Sequence, residues 1–151
     1  LNLNDRMTIG FVSGVIGGIA MLIPDFILYR IGVSKTLFLD WSSVLMYGHI
    51  TKNISEAVLA EASHLVFTGF LGIFFVFLVF RILNKQNYFL KGLLYSLFVW
   101  FTLNALSIFF YLPGLSTSTL GNVITDIIGS AAYGLVLAAV SKWIYERTKL
   151  T

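Results

Sequence analysis

The chain has no cysteine among its 151 residues. Disulfides, thiol redox chemistry and Cys-ligated zinc are therefore excluded, and compartment cannot be read from thiols. Charge is scarce as well: Asp, Glu, Lys and Arg make up 11% of the chain against 58% hydrophobic residues, where soluble domains carry ~25% charged residues. That balance belongs to a membrane protein, read as one domain over residues 1–151. No Gly-rich phosphate loop, His-Glu-x-x-His element or Asp-Gly calcium loop is present. Ser63 directly precedes His64, so the two project to different helix faces and form no nucleophile and base pair. An enzyme is not expected. The basic residues gather at loop ends without an aromatic-interleaved patch, so no nucleic-acid partner is expected either.

What the sequence does hold is four long apolar runs. A spanning helix needs ~20 predominantly apolar residues, and residues 8–29, 57–80, 90–112 and 120–143 meet this. The expected fold class is all-α, an integral membrane four-helix bundle whose first partner is the lipid bilayer. No small-x-small cleavage site stands out after the first run, so it is expected to be retained. Leu1 in place of Met leaves the native start open. Between the first two spans, residues 34–48 carry Leu37, Phe38, Trp41, Val44 and Leu45 on one helical face, with Ser34 placed to cap and Gly48 to terminate. At ~1.5 Å per residue this piece reaches only about 20 Å. It is expected as a short amphipathic helix, interfacial or re-entrant. Pro113, Gly114 and the hydroxyl run from Ser116 to Thr119 predict a turn that caps the fourth span.

Loop charge sets the orientation. Arg6, Arg81, Lys85, Lys91, Lys142, Arg147 and Lys149 fall on the side of the termini, whereas Arg30, Lys35 and Lys52 fall on the other. The positive-inside rule then puts both termini in the cytoplasm. Aromatic residues near the span ends, among them Tyr29, Trp41, Tyr111, Tyr88, Trp143 and Tyr145, fit interfacial belts.

In the first span, Gly10, Gly14 and Gly18 recur every four residues, and Pro24 and Asp25 follow. At ~100° per residue Asp25 continues the glycine stripe, so the acid is expected to face protein. A stripe without side chains permits close helix approach. Its expected partner is another helix or a second copy of the chain, which makes a homo-oligomer or a subunit of a membrane complex the expected assembly. Pro24 removes one helical hydrogen bond and is expected to kink the span.

Five of the seven acids, Asp25, Asp40, Glu56, Glu61 and Asp126, collect on or just below the face opposite the termini. Counted inward at ~1.5 Å per residue, Asp25, His64, Asn104 and Asp126 all lie roughly 7 to 12 Å deep. Each span also has a polar edge, with Glu61, Thr68 and Gly72 on the second, Trp100, Asn104, Ser107 and Tyr111 on the third, and Asn122, Asp126, Gly129 and Tyr133 on the fourth. Ionisable residues inside spans mark functional sites by default. The candidate site is therefore Asp25, Glu61, His64, Asn104 and Asp126, a polar layer opening outward to bind a small cation or proton in a transporter or channel-like protein. The alternative is an accessory or scaffold subunit in which the same groups only fix packing.

Glu61 and His64 form a Glu-x-x-His that resembles the ligand element of di-iron carboxylate bundles. It occurs once, so a metal at Glu61 and His64 is a minor reading. Haem is disfavoured because His49 lies in a loop and only His64 lies within a span. No cofactor is predicted.

The combination Pro24-Asp25 with Leu28-Tyr29, Leu39-Asp40-Trp41, Leu45-Met46-Tyr47-Gly48-His49 and Gly69-Phe70-Leu71-Gly72 resembles a group of small four-span bacterial membrane proteins that carry no assigned function. The resemblance implies a bacterial inner membrane location and no particular activity or ligand.

Overall fold

The computed structural model describes residues 5–83, 86–115 and 118–148. Leu1, Lys85, Ser116, Thr117 and Lys149 lie outside the described residues. The described elements are α1 (Arg6–Arg30), α2 (Phe38–Tyr47), α3 (Ile54–Phe77), α4 (Tyr88–Phe109) and α5 (Leu120–Thr148). A π-helical turn, Leu78–Ile82, continues α3 and closes with Leu83 N–H donating to the Leu78 carbonyl at 2.9 Å. The helices α1, α3 with its π turn, α4 and α5 are each long and apolar enough to cross a membrane. The protein is an all-α, multi-pass integral membrane protein.

Two of the spans, α1 and α3, begin ahead of the expected apolar runs, where a polar residue caps each. Asp5 accepts from Thr8 N–H at 3.0 Å at the start of α1, and Asn53 accepts from Glu56 N–H at 2.9 Å at the start of α3. The helix α5 begins where expected, with Thr119 Oγ1 accepting from Asn122 N–H at 3.2 Å. At its far end α4 stops at Phe109, short of residue 112. Tyr111 takes a left-handed φ of 51°, and a residue with a Cβ cannot continue a right-handed helix from there. The helix α1 runs through Pro24 to Arg30.

The helix α1 packs on both α3 and α5, α5 packs on α4, and α2 packs on α3. The spans thus form a curved row in the order α3, α1, α5, α4. The two outer members approach at Tyr95, whose hydroxyl donates to the Leu71 carbonyl at 2.7 Å and whose ring lies 5.4 Å from Phe75.

The glycine stripe of α1 is used within the chain. A Cβ on Gly10 would meet Ile73 Cα at 2.5 Å, one on Gly14 would strike the Thr68 carbonyl oxygen, and one on Gly18 would strike the Thr68 side chain. From the other side, a Cβ on Gly72 would run into the Gly10 carbonyl. The two backbones touch because neither carries side chains there, and such contact is what helix association in lipid rewards. Of the two partners expected for the stripe, the structure supplies the helix, α3 of the same chain. The small-residue surface of α5 works the same way: Gly134 and Ala138 lie against Gly92 and Ser96 of α4.

On the side of the termini the row is closed by a dry core. Ile9, Phe75, Val76, Val79, Leu137 and Ile144 are buried, and Phe80 stacks on Tyr145 at 4.0 Å and packs on Tyr88 at 5.8 Å. The hydroxyls of Ser96, Thr102 and Ser141 donate to carbonyls of their own helices, those of Leu93, Phe98 and Leu137. Such back-bonding satisfies these three hydroxyls locally.

Candidate functional site

The first turn of α2 organises the opposite half. A helix start leaves N–H groups without intrahelical partners, and within a bilayer no water is at hand to take them. Three side-chain oxygens from different helices supply the need. Asn122 Oδ1 of α5 accepts from Lys35 N–H at 2.9 Å, Asp40 Oδ2 of α2 itself from Leu37 N–H at 2.9 Å, and Asp25 Oδ2 of α1 from Phe38 N–H at 2.9 Å. Asn122 Nδ2 also donates to Thr36 Oγ1 at 3.0 Å. Ser34 does not cap the helix. Its hydroxyl donates to the Thr36 carbonyl at 2.6 Å, and the helix begins at Phe38, four residues later than expected. Gly48 does end it, with a left-handed φ of 75° and its N–H bonded to the Val44 carbonyl at 2.9 Å.

Anchored in this way, α2 is tilted into the bundle by its first residue. The Phe38 ring stacks on His64 of α3 at 6.0 Å and lies against Gly129 of α5, whose missing side chain makes the room. The other end of α2 stays out, with Leu45 70% exposed.

Asp40 lies outside the spanning helices, and burial pushes its carboxyl above the usual 3.8 despite the hydrogen bonds from Leu37 and Thr51 that favour the charged form. With the folded value raised above the unfolded one, the stability this group contributes is complete below 3.8 and is lost as pH rises through the folded value. Hydrogen exchange at the Leu37 amide is therefore expected to show weaker protection as pH increases through that window, after correction for intrinsic exchange. In Asp40→Asn the protection should lose this dependence while the amide stays bonded to the side-chain carbonyl.

Around Phe38 the polar layer assembles from three spans. Asp25 is 2% exposed, and its Oδ2 accepts from the N–H of Phe38, whose ring stacks on His64. His64 is 6% exposed and holds Glu61 Oε1 at 3.3 Å through Nδ1. Asp126, 7% exposed, accepts from Trp100 Nε1–H at 3.3 Å. Asp25 Oδ1 is fully buried and has no hydrogen-bond partner among the described residues. An acceptor left in that condition costs roughly 1 to 3 kcal/mol, so its burial calls for an explanation.

Of the five expected site residues, Glu61 and His64 are in contact, Asp25 is joined to them through Phe38, and Asp126 is bonded to Trp100. Asn104 is not linked to them. Its carbonyl accepts from Ser107 at 2.8 Å, and its side-chain Oδ1 is buried without a partner among the described residues. Depth along a helix fixes height but not direction, and on α4 the residue turned toward the layer is Trp100. Trp100 belongs to the polar edge expected for the third span, of which the expected site takes only Asn104. The backbone N–H of Phe38 had no sequence signal at all.

Among the described residues no group of three or more His, Asp and Glu side chains is spaced to hold a metal ion. Glu61 and His64 remain a pair. The chain matches no protein-family model, no curated protein and no solved structure.

Proposed function

We propose that this membrane protein binds a proton or small cation at Asp25, Glu61, His64 and Asp126, in a site that opens toward the α2 side. One observation carries the reading: a fully buried carboxylate oxygen of Asp25 that has no hydrogen-bond partner among the described residues. A proton on Asp25, or a cation beside it, would satisfy that oxygen. The pairwise spacing of Glu61 and His64 and the lack of a three-ligand group among the described residues favour a proton over a transition metal. By loop charge both termini lie in the cytoplasm and the α2 side faces away from it, and the resemblance to small four-span bacterial proteins implies the inner membrane. Glu61, with its side chain 24% exposed, is the wet end of the site. The aromatic core on the terminal side means that transport would require a second conformation.

A specific observation also favours the scaffold reading. Asp25, Asp40 and Asn122 each hold a backbone N–H at the start of α2, which is a structural task. In either case α4, packed chiefly on α5 with Phe98 69% exposed, is the face we assign to a second copy or a partner subunit.

Thermal unfolding in lipid nanodiscs tests the site. The melting temperature is expected to vary with pH or with added monovalent cation, and Asp126→Asn is expected to remove most of that variation while preserving the Trp100 contact through its side-chain carbonyl. Unchanged dependence in Asp126→Asn would reject the site.

A further inference from the structure

Helix α2 lies between two glycine turns. Gly32 has a φ of 79° and Gly48 a φ of 75°, and a Cβ built on either would meet nothing within 4 Å, so neither turn is wedged against a span. Such positions can absorb the backbone rotation of a hinged segment. Several polar bonds of α2 tie it only to its own loops: Asp40 accepts from Leu37 N–H and from the Thr51 hydroxyl, and Ser43 Oγ donates to the His49 carbonyl.

Among the described residues, two side chains of the spans pin the start of the segment. Asn122 of α5 accepts from Lys35 N–H and donates to Thr36 Oγ1, and Asp25 of α1 accepts from Phe38 N–H. An amide does not titrate, so of the two pins only Asp25 can change its charge.

Phe38 gives that change a consequence. Its N–H rests on Asp25 Oδ2, its ring stacks on His64 with 7° between the planes, and the ring fits where Gly129 has no side chain. The first residue of α2 thus covers the acid and the histidine together. While it is seated, Asp25 is 2% exposed and its Oδ1 has no hydrogen-bond partner among the described residues. Burying a charged carboxylate behind one hydrogen bond costs more than charge adds to the strength of that bond. Lifting the first turn uncovers Oδ2 and opens the carboxylate to water from the Glu61 rim. Charge on Asp25 therefore opposes seating, and a proton favours it.

We propose that α2 is a lid over the site, seated when Asp25 binds a proton and loosened when that proton leaves. The inference rests on the proton reading of the site and adds what binding does: the protein closes over its own ligand, as a lid sequesters a bound group. Seating is complete at low pH and is lost as pH rises, because the seated form is the one that holds the proton. The titratable groups on the surrounding elements are Glu61 and His64 on α3, Asp126 on α5 and Asp40 on α2. Asp40 acts on the Leu37 amide in the same direction, so its titration is removed for the test.

The experiment is amide hydrogen exchange of Asp40→Asn protein in nanodiscs across a range of pH, corrected for intrinsic exchange, with thermal unfolding recorded on the same samples. The amides of Phe38 and Lys35 are expected to lose protection together as pH rises, by about tenfold or more, as burial of an unsatisfied charged oxygen implies. Lys35 is the informative one. Its acceptor Asn122 does not titrate, so its amide responds only if the whole start of the segment moves. Adding Asp25→Asn should hold both amides at their low-pH protection throughout. Loss of protection at Phe38 alone would overturn the proposal, since one bond would then titrate beneath a fixed helix. Protection that grew with pH would overturn it as well, because the bond would outweigh the burial. Two unresponsive amides beside a melting temperature that still varies with pH would overturn the lid and leave the proton site standing. If the melting temperature were also unresponsive, the proton reading itself would fall and the lid with it.

Discussion

Gly14→Leu is expected to destroy the folded protein. A Cβ at Gly14 would strike the Thr68 carbonyl oxygen and would have Gly69 Cα at 2.9 Å and Gly72 Cα at 3.0 Å. All three neighbours are backbone, so no rotamer change relieves the contact. Only separation of α1 from α3 does. Ordinary overpacking costs about 1 to 3 kcal/mol, but separation here unzips a seam that Gly10, Gly18 and Gly72 also share. A loss above ~4 kcal/mol, in the range reserved for major packing defects, is therefore expected. The measurement is thermal unfolding in detergent, with size-exclusion mass recorded on the same sample. Gly17→Ala provides the graded comparison, because its nearest neighbour is the Tyr133 ring at 2.9 Å, a side chain that can shift. A Gly14→Leu protein that melted like wild type but had a smaller mass would mean that the stripe joins copies of the chain, and the α1 to α3 seam described above would be wrong.

The same stripe shows how far sequence reasoning reaches. Spacing alone indicated that Gly10, Gly14 and Gly18 form a contact surface and that Asp25 faces protein. Both are features of one helix, and helical periodicity carries them. Which helix receives the stripe depends on Gly69 and Gly72, sixty residues away in the chain by rough count, and no local pattern states that pairing. The start of α2 failed for a related reason. Capping rules look a few residues along the chain, and Ser34 was the nearest hydroxyl. The oxygens that serve the N–H groups of Lys35 and Phe38 come instead from Asn122 and Asp25, on two other helices. Gly48, whose left-handed φ is a property of its own backbone, was legible.

Asp25 is the residue at which the two functional readings part, and paired substitutions separate them. Oδ2 accepts from Phe38 N–H at 2.9 Å and holds the first turn of α2; Oδ1 is buried without a partner among the described residues. Asp25→Leu removes both oxygens. The Phe38 N–H would be left unbonded in a dry setting, a loss of about 1 to 3 kcal/mol, and the favourable placement of a negative charge at a helix N-terminus, ~0.3 to 1 kcal/mol, would go with it. Hydrogen exchange at the Phe38 amide is expected to accelerate by about tenfold or more, as that loss implies, and α2 should become mobile as a unit. Asp25→Asn keeps one carbonyl oxygen for Phe38 and is expected to leave the exchange of that amide within a few-fold of wild type. What Asp25→Asn takes away is the capacity to gain and lose a proton. If Asp25 serves ligand binding, the cation dependence of the melting temperature should vanish in Asp25→Asn, and its pH dependence should shrink to the part that Asp40 contributes, although α2 stays docked. If that dependence persists in Asp25→Asn while Asp25→Leu still frees α2, the carboxylate is a cap supplied by one helix to another, and the scaffold reading stands. The two oxygens of one side chain thus answer separate questions, because one is bonded to α2 and the other has no hydrogen bond among the described residues.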